Sequence, residues 1–117
     1  GHNFPYVLKA EEGMVTLETG GLLLGAFPGI SWPEDSVTLA PGDCLLLYTD
    51  GITEARPPDV DEEYGEGRFN ERLALLRDAP AGRMLDEILA DVTAYAGGTP
   101  QDDATLVIVR VGRGLPA

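Results

Sequence analysis

The period with which apolar and polar positions alternate changes along this chain, and those changes predict its elements. Two short runs, Tyr-Val-Leu-Lys at 6–9 and Met-Val-Thr-Leu at 14–17, flank Glu11-Glu12-Gly13. That loop length and glycine placement predict a β-hairpin. Leu22-Leu23-Leu24-Gly25 is a further apolar piece, and residues 27–35, with two prolines and Trp32, predict an irregular connection over the surface. Residues 36–39 alternate polar and apolar, and Pro41-Gly42-Asp43 turns the chain into Cys44-Leu45-Leu46-Leu47-Tyr48. The latter run is typical of a strand covered on both faces, and the pattern predicts that the two segments pair as antiparallel neighbours.

The run stops at Thr49-Asp50-Gly51. Beyond it, Arg56-Pro57-Pro58 and the acidic stretch 59–66 predict a solvated loop until about Gly67. Phe69, Leu73 and Leu76 then follow helical spacing. A longer helix is predicted after Pro80, where Met84, Leu85, Ile88, Leu89, Val92, Tyr95 and Ala96 form one stripe and Gly97-Gly98 closes it. Residues 105–111, centred on Leu-Val-Ile-Val, predict a last β-strand. Strands, two helices and a strand make an α+β protein, with an antiparallel sheet carrying helices on one face.

Charge narrows the classes of partner. Eight Lys and Arg stand against 20 Asp and Glu, for a net charge of -12. Such a field repels polyanions and argues against nucleic acid or an anionic membrane as a partner, while cations and basic protein surfaces are favoured. No stretch of the 117 residues has the length and apolarity to cross a bilayer, and no secretory signal pattern is present, which predicts a soluble domain or part of one. The single cysteine, Cys44, lies in an apolar run and predicts a buried thiol, in keeping with a reducing cytoplasm. Ordered-looking sequence starts at Gly1 with no methionine, which leads us to expect that upstream protein is missing.

Two acidic sites sit at predicted strand ends: Asp50 after the apolar run, and Asp102-Asp103 before the last strand. If those strands are antiparallel, the end of one and the start of the other share a sheet edge, and the carboxylates converge. Converging carboxylates repel unless a cation lies between them, and Mg²⁺ and Mn²⁺ prefer carboxylate and water oxygens. Gly51 would let backbone, water or substrate approach Asp50 closely. Taken singly, Asp-Gly is an ordinary turn dipeptide and Asp-Asp an ordinary polar loop.

A series of segments changes that balance. Gly1-His2-Asn3-Phe4-Pro5, Gly25, Leu39-Ala40-Pro41-Gly42-Asp43, Leu46-Leu47-Tyr48-Thr49-Asp50-Gly51-Ile52-Thr53-Glu54-Ala55, Tyr64-Gly65-Glu66 and Gln101-Asp102-Asp103-Ala104-Thr105 follow one another along nearly the whole chain. In identity and order they resemble the motifs of the SpoIIE-type PPM (protein phosphatase 2C-like) metal-dependent serine/threonine phosphatases. The resemblance implies an α-β-β-α sandwich with a binuclear Mn²⁺ or Mg²⁺ centre at one edge. Asp50 falls on the family's metal-binding Asp-Gly aspartate and Asp102 on the aspartate of its final motif. Asp103 stands where relatives often carry Asn, as a substitute ligand or outer partner, so the implied metal set is Asp50, Gly51, Asp102 and Asp103. By the same resemblance, Asp50 and Asp102 act in catalysis through a metal-activated water that attacks phosphoserine or phosphothreonine directly. The implied substrate is a phosphoprotein such as an anti-sigma-factor antagonist in bacterial stress signalling.

Complete relatives carry further aspartates upstream of the Gly-His-Asn segment. Residues 1–117 therefore resemble the C-terminal half of the domain, expected to be inactive alone, with an exposed sheet face that a homo-oligomer would hide. A phosphatase-like binding or sensing module without catalysis, and an acidic α+β domain without metal, are the competing readings. Among other residues, His2 is expected to be structural and Glu54 to make a local hydrogen bond. Residues 59–63 are expected to be a solvated loop that, like Arg56, is a candidate for partner selection only by family analogy. Trp32 is expected to anchor local packing.

Overall fold

The computed structural model describes residues 3–11, 13–20, 26–98 and 103–112. The predicted hairpin forms: β1 (Tyr6–Leu8) pairs antiparallel with β2 (Met14–Thr16), with Val7 opposite Val15. Gly13 makes the turn at a φ of 97°, in the left-handed region open to glycine, and its carbonyl accepts from the Lys9 amide at 3.1 Å. Strand β3 (Cys44–Tyr48) lies between β1 and β4 (Leu106–Arg110), so the sheet order is β2-β1-β3-β4, antiparallel throughout.

That order overturns one expectation. Residues 36–39 do not pair with β3. They lie outside the sheet, exposed except for the half-buried Leu39, because a strand has only two hydrogen-bonding edges and those of β3 are occupied by β1 and β4. Phe27, Ile30 and Val37 are exposed along the same connection, and Trp32 is 36% exposed there.

The helices are α1 (Asp50–Thr53), α2 (Gly65–Leu75) and α3 (Ala81–Tyr95). The one-turn α1 adds to the two helices expected, and α2 starts two residues before Gly67. Phe69 and Leu73 on α2, and Met84, Ile88 and Val92 on α3, repeat every four residues and turn one stripe of each helix inward. At the end of α3, Gly98 N–H donates to Thr93 O at 2.8 Å and Gly97 N–H to Ala94 O at 3.2 Å, with φ of 91° and 92°. This six-to-one and five-to-two pairing is the Schellman stop that the two glycines predict.

The helices cover one face of the sheet, burying Tyr6, Leu8, Cys44, Leu46, Tyr48 and Leu106. Tyr6 and Tyr48 stack at 5.3 Å, and the Phe69 ring meets Tyr48 edge-on at 4.8 Å. The opposite face is apolar and open in part: Val7 is buried there. Val15, Val107 and Val109 are 41%, 48% and 44% exposed, and Leu45 and Leu47 are only half-buried, so β3 is covered on one face and not on both.

One end of the sheet is clamped by polar side chains. The buried Asp43 carboxylate accepts from Ala10 N–H at 2.8 Å and Ala40 N–H at 2.9 Å, and Lys9 Nζ lies at 3.5 Å. Arg110 donates to the carbonyls of Gly42, Arg77 and Ala79. With that end tied down, the candidate site lies at the other. Among the described residues, no helix is long and apolar enough to cross a membrane.

Candidate active site

The antiparallel β3–β4 ladder places Tyr48 opposite Leu106. Residues that follow β3 and residues that precede β4 therefore share one edge, and Asp50 and Asp103 both lie there, exposed. Asp50 is not in a plain turn but opens α1. Thr49 precedes that helix at its N-cap, yet its hydroxyl makes no cap. It donates instead to Asp103 O at 2.7 Å and accepts from Thr105 N–H at 2.9 Å, while Thr49 N–H donates to Thr105 O at 3.1 Å. One side chain thus joins the two acidic segments.

Gly51 explains how closely they join. A Cβ at this position would stand 2.6 Å from the Asp103 carbonyl carbon, its oxygen and its Oδ1. Any side chain here would push Asp103 away, so the requirement for glycine is one of space; φ of Gly51 is not in the positive range. The backbone of one acidic segment packs against the other, as the close approach expected at Gly51 requires. Asp102, the other carboxylate assigned from the sequence, lies outside the described residues, as do His2 and Gly25.

The donor chemistry fits a hard divalent cation: exposed carboxylates with solvent access, held at one edge by backbone and hydroxyl bonds. Among the described residues, no three His, Cys, Asp or Glu gather into a metal-holding group. The described part of the site thus supplies two carboxylates, Asp50 and Asp103, around Gly51.

Around this edge, the acidic residues 59–63 are exposed, as a solvated loop should be. Arg56 pairs with Asp61 at 3.1 Å, and Glu54 N–H donates to Asp50 O at 2.7 Å, closing the α1 turn. A polar cluster beside this loop has no counterpart in the sequence reading. Tyr64, 1% exposed, donates through its hydroxyl to Asp91 Oδ2 at 2.5 Å, and Arg72 donates to Asp91 Oδ1 at 2.9 Å. Burial, then the hydrogen bond to Asp91, pushes the Tyr64 phenol well above the ordinary tyrosine range. The signal for Tyr64 lay in Tyr64-Gly65-Glu66. Asp91 and Arg72 carry no local signal, since they stand 27 and 19 residues from their partners in sequence.

Solved phosphatase domains share this architecture. The SiaA-PP2C domain of Pseudomonas aeruginosa superposes with a TM-score of 0.70 at 25% identity, covering 92% of this chain and 42% of that one. The phosphatase domain of the cell fate determinant SpoIIE from Bacillus subtilis (Mn presoaked) gives 0.70 at 20% identity, covering 100% and 50%. The fold is thus that of the PP2C-like phosphatase class. The family model of stage II sporulation protein E (SpoIIE) matches residues 1–112, and the chain belongs to that family. Protein IcfG of Synechocystis sp. is 33% identical over 110 residues, which are 93% of this chain and 17% of that protein. The chain spans half or less of each of these relatives.

Proposed function

We propose that the complete domain is a protein serine/threonine phosphatase dependent on Mn²⁺ or Mg²⁺. Asp50 and Asp102 would act as metal ligands, with Asp103 as a substitute or outer partner. The observation that carries this reading is the packing of Gly51 against Asp103, which sets two carboxylate-bearing segments side by side at one sheet edge. When bound, the cation supplies an activated water and neutralises charge on the phosphoryl oxygens.

The chain's own residues do the positioning. Thr49 holds the Asp103 segment, the α1 turn holds Asp50, and the absence of a side chain at Gly51 lets the two segments close on each other. The substrate we propose is a phosphoprotein, of the anti-sigma-factor antagonist kind that membership of the SpoIIE family supports. Because the chain spans half or less of these relatives, the 117 residues alone are expected to bind the metal weakly and to turn over no substrate.

Calorimetry with Mn²⁺, run beside hydrolysis of a phosphoserine peptide, tests the proposal on the full-length protein and on its Asp50→Asn and Asp102→Asn variants. Loss of Mn²⁺ heat and of turnover in both variants is the expected result. Unchanged Mn²⁺ affinity in both would remove the metal assignment, and metal binding without turnover in the parent would leave a binding module.

A further inference from the structure

Residues 56–63 carry no apolar side chains besides Pro57, Pro58 and Val60, and an exposed acidic loop of that kind would ordinarily open easily. Here it is held at several points. Tyr64 N–H donates to Ala55 O at 2.6 Å and brings the two ends of the loop together, and Ala55 is itself buried two residues after α1. The Tyr64 hydroxyl is held by Asp91 on α3, whose second oxygen takes Arg72 from α2. One turn further along α3, Tyr95 donates to Glu62 O at 2.7 Å, and its ring lies under the Arg68 guanidinium at 4.4 Å. Arg68 in turn donates to the carbonyls of Glu63 and Tyr64 at 2.9 Å.

Asp91 is the hub of this arrangement, because both of its oxygens are used, one on Tyr64 at the N-cap of α2 and the other on Arg72 in the last turn of that helix. Removing the Tyr64 hydroxyl or the Asp91 charge leaves the other half-buried polar groups unmatched, which costs more than an ordinary hydrogen bond.

We infer that Asp91 is a positioning residue for the candidate site. By fixing Tyr64 it holds, through the Tyr64 amide and the Ala55 carbonyl, the far end of the α1 turn that begins with Asp50. The role of that turn as a metal-bearing segment rests on the phosphatase reading; the mechanical link does not.

Two variants of the full-length protein test it: Asp91→Asn, and Tyr64→Phe, which keeps the ring and loses only the hydroxyl. Amide hydrogen exchange is measured at Ile52, Glu54 and Tyr64, whose N–H groups bond to Thr49, Asp50 and Ala55, and at Leu46 and Val109 in the sheet, which the alternation of the antiparallel ladders turns toward β1 and β3 respectively. Both variants should speed exchange at the first three by about 10-fold, the scale of one charged hydrogen bond, and leave the sheet amides unchanged. Mn²⁺ affinity should fall by several-fold in parallel.

Equal acceleration everywhere would mean that Asp91 serves global stability alone, and no acceleration would mean that it holds nothing; either result overturns the inference. If exchange responds as expected while the parent protein neither binds Mn²⁺ nor hydrolyses phosphoserine, the link stands and the phosphatase reading falls.

Discussion

Gly51 and Asp103 touch so closely that the smallest side chain at position 51 would overlap the Asp103 carbonyl, 2.6 Å away. Gly51→Ala therefore cannot be absorbed by a rotamer change, since the obstacle is backbone. We expect a loss of about 1–3 kcal/mol in stability, the scale of an overpacked site. Urea unfolding should show it, with a weaker Mn²⁺ signal at the same time, whereas Gly67→Ala, with open space around it, should show neither effect.

Thr49→Val keeps the shape and removes the hydroxyl that ties Asp103 and Thr105 to β3. Loss of about 1 kcal/mol is expected. Exchange at the Thr105 amide should rise well before that of Leu46, because the break is local to the sheet end.

Acid should weaken the opposite end. The Ala40 amide, then the Ala10 amide, with help from Lys9, hold the Asp43 carboxyl below its ordinary value of 3.8. A carboxyl lowered in the folded state contributes stability that is present above the unfolded value and is lost as pH falls through the folded one. Asp43→Asn should therefore be less stable than the parent at pH 7 and converge on it only as pH falls below the ordinary value of 3.8 and through the lowered folded-state one, where the parent's carboxyl also protonates. Denaturant midpoints across that range are the check.

Alkali acts through Tyr6 and Tyr64. Burial raises both phenols above the ordinary value of 10.0, followed by hydrogen bonds with Tyr48 and Asp91 respectively. Above that value the unfolded chain releases protons that the folded chain keeps, so stability falls as pH rises. Tyr6→Phe and Tyr64→Phe should each flatten the decline between pH 9 and 11, as about pH 10 is where unfolded tyrosine titrates.

Cys44 should resist thiol reagents in the native protein. It is fully buried, and burial pushes its thiol up, away from the reactive thiolate. A disulfide reagent should titrate it only in denaturant; fast reaction in buffer would contradict the burial.

Much of this fold was legible because periodicity is a local property. The hairpin, the stripes of α2 and α3, the glycine stop and β4 each repeat their pattern within one segment. Residues 36–39 misled because alternation reports strand-like character but cannot report that both edges of β3 are already filled. The four-residue α1 was illegible for a different reason: it is shorter than the pattern that would reveal it. At the site, convergence of Asp50 with the segment before β4 followed from antiparallel geometry alone. The joining role of Thr49 and the hub at Asp91 did not, because their partners are set by the tertiary fold.

The open face of Val15, Val107 and Val109 belongs to a molecule with a net charge of -12. In dilute buffer, copies repel one another before those valines can meet. The screening length shrinks from about 10 Å at 0.1 M salt to about 3 Å at 1 M. Ionic strength is thus the control on colloidal behaviour of these 117 residues on their own: the same surface that is harmless in low salt turns adhesive when salt is added, and the isolated chain should precipitate in conditions that keep most acidic proteins dissolved.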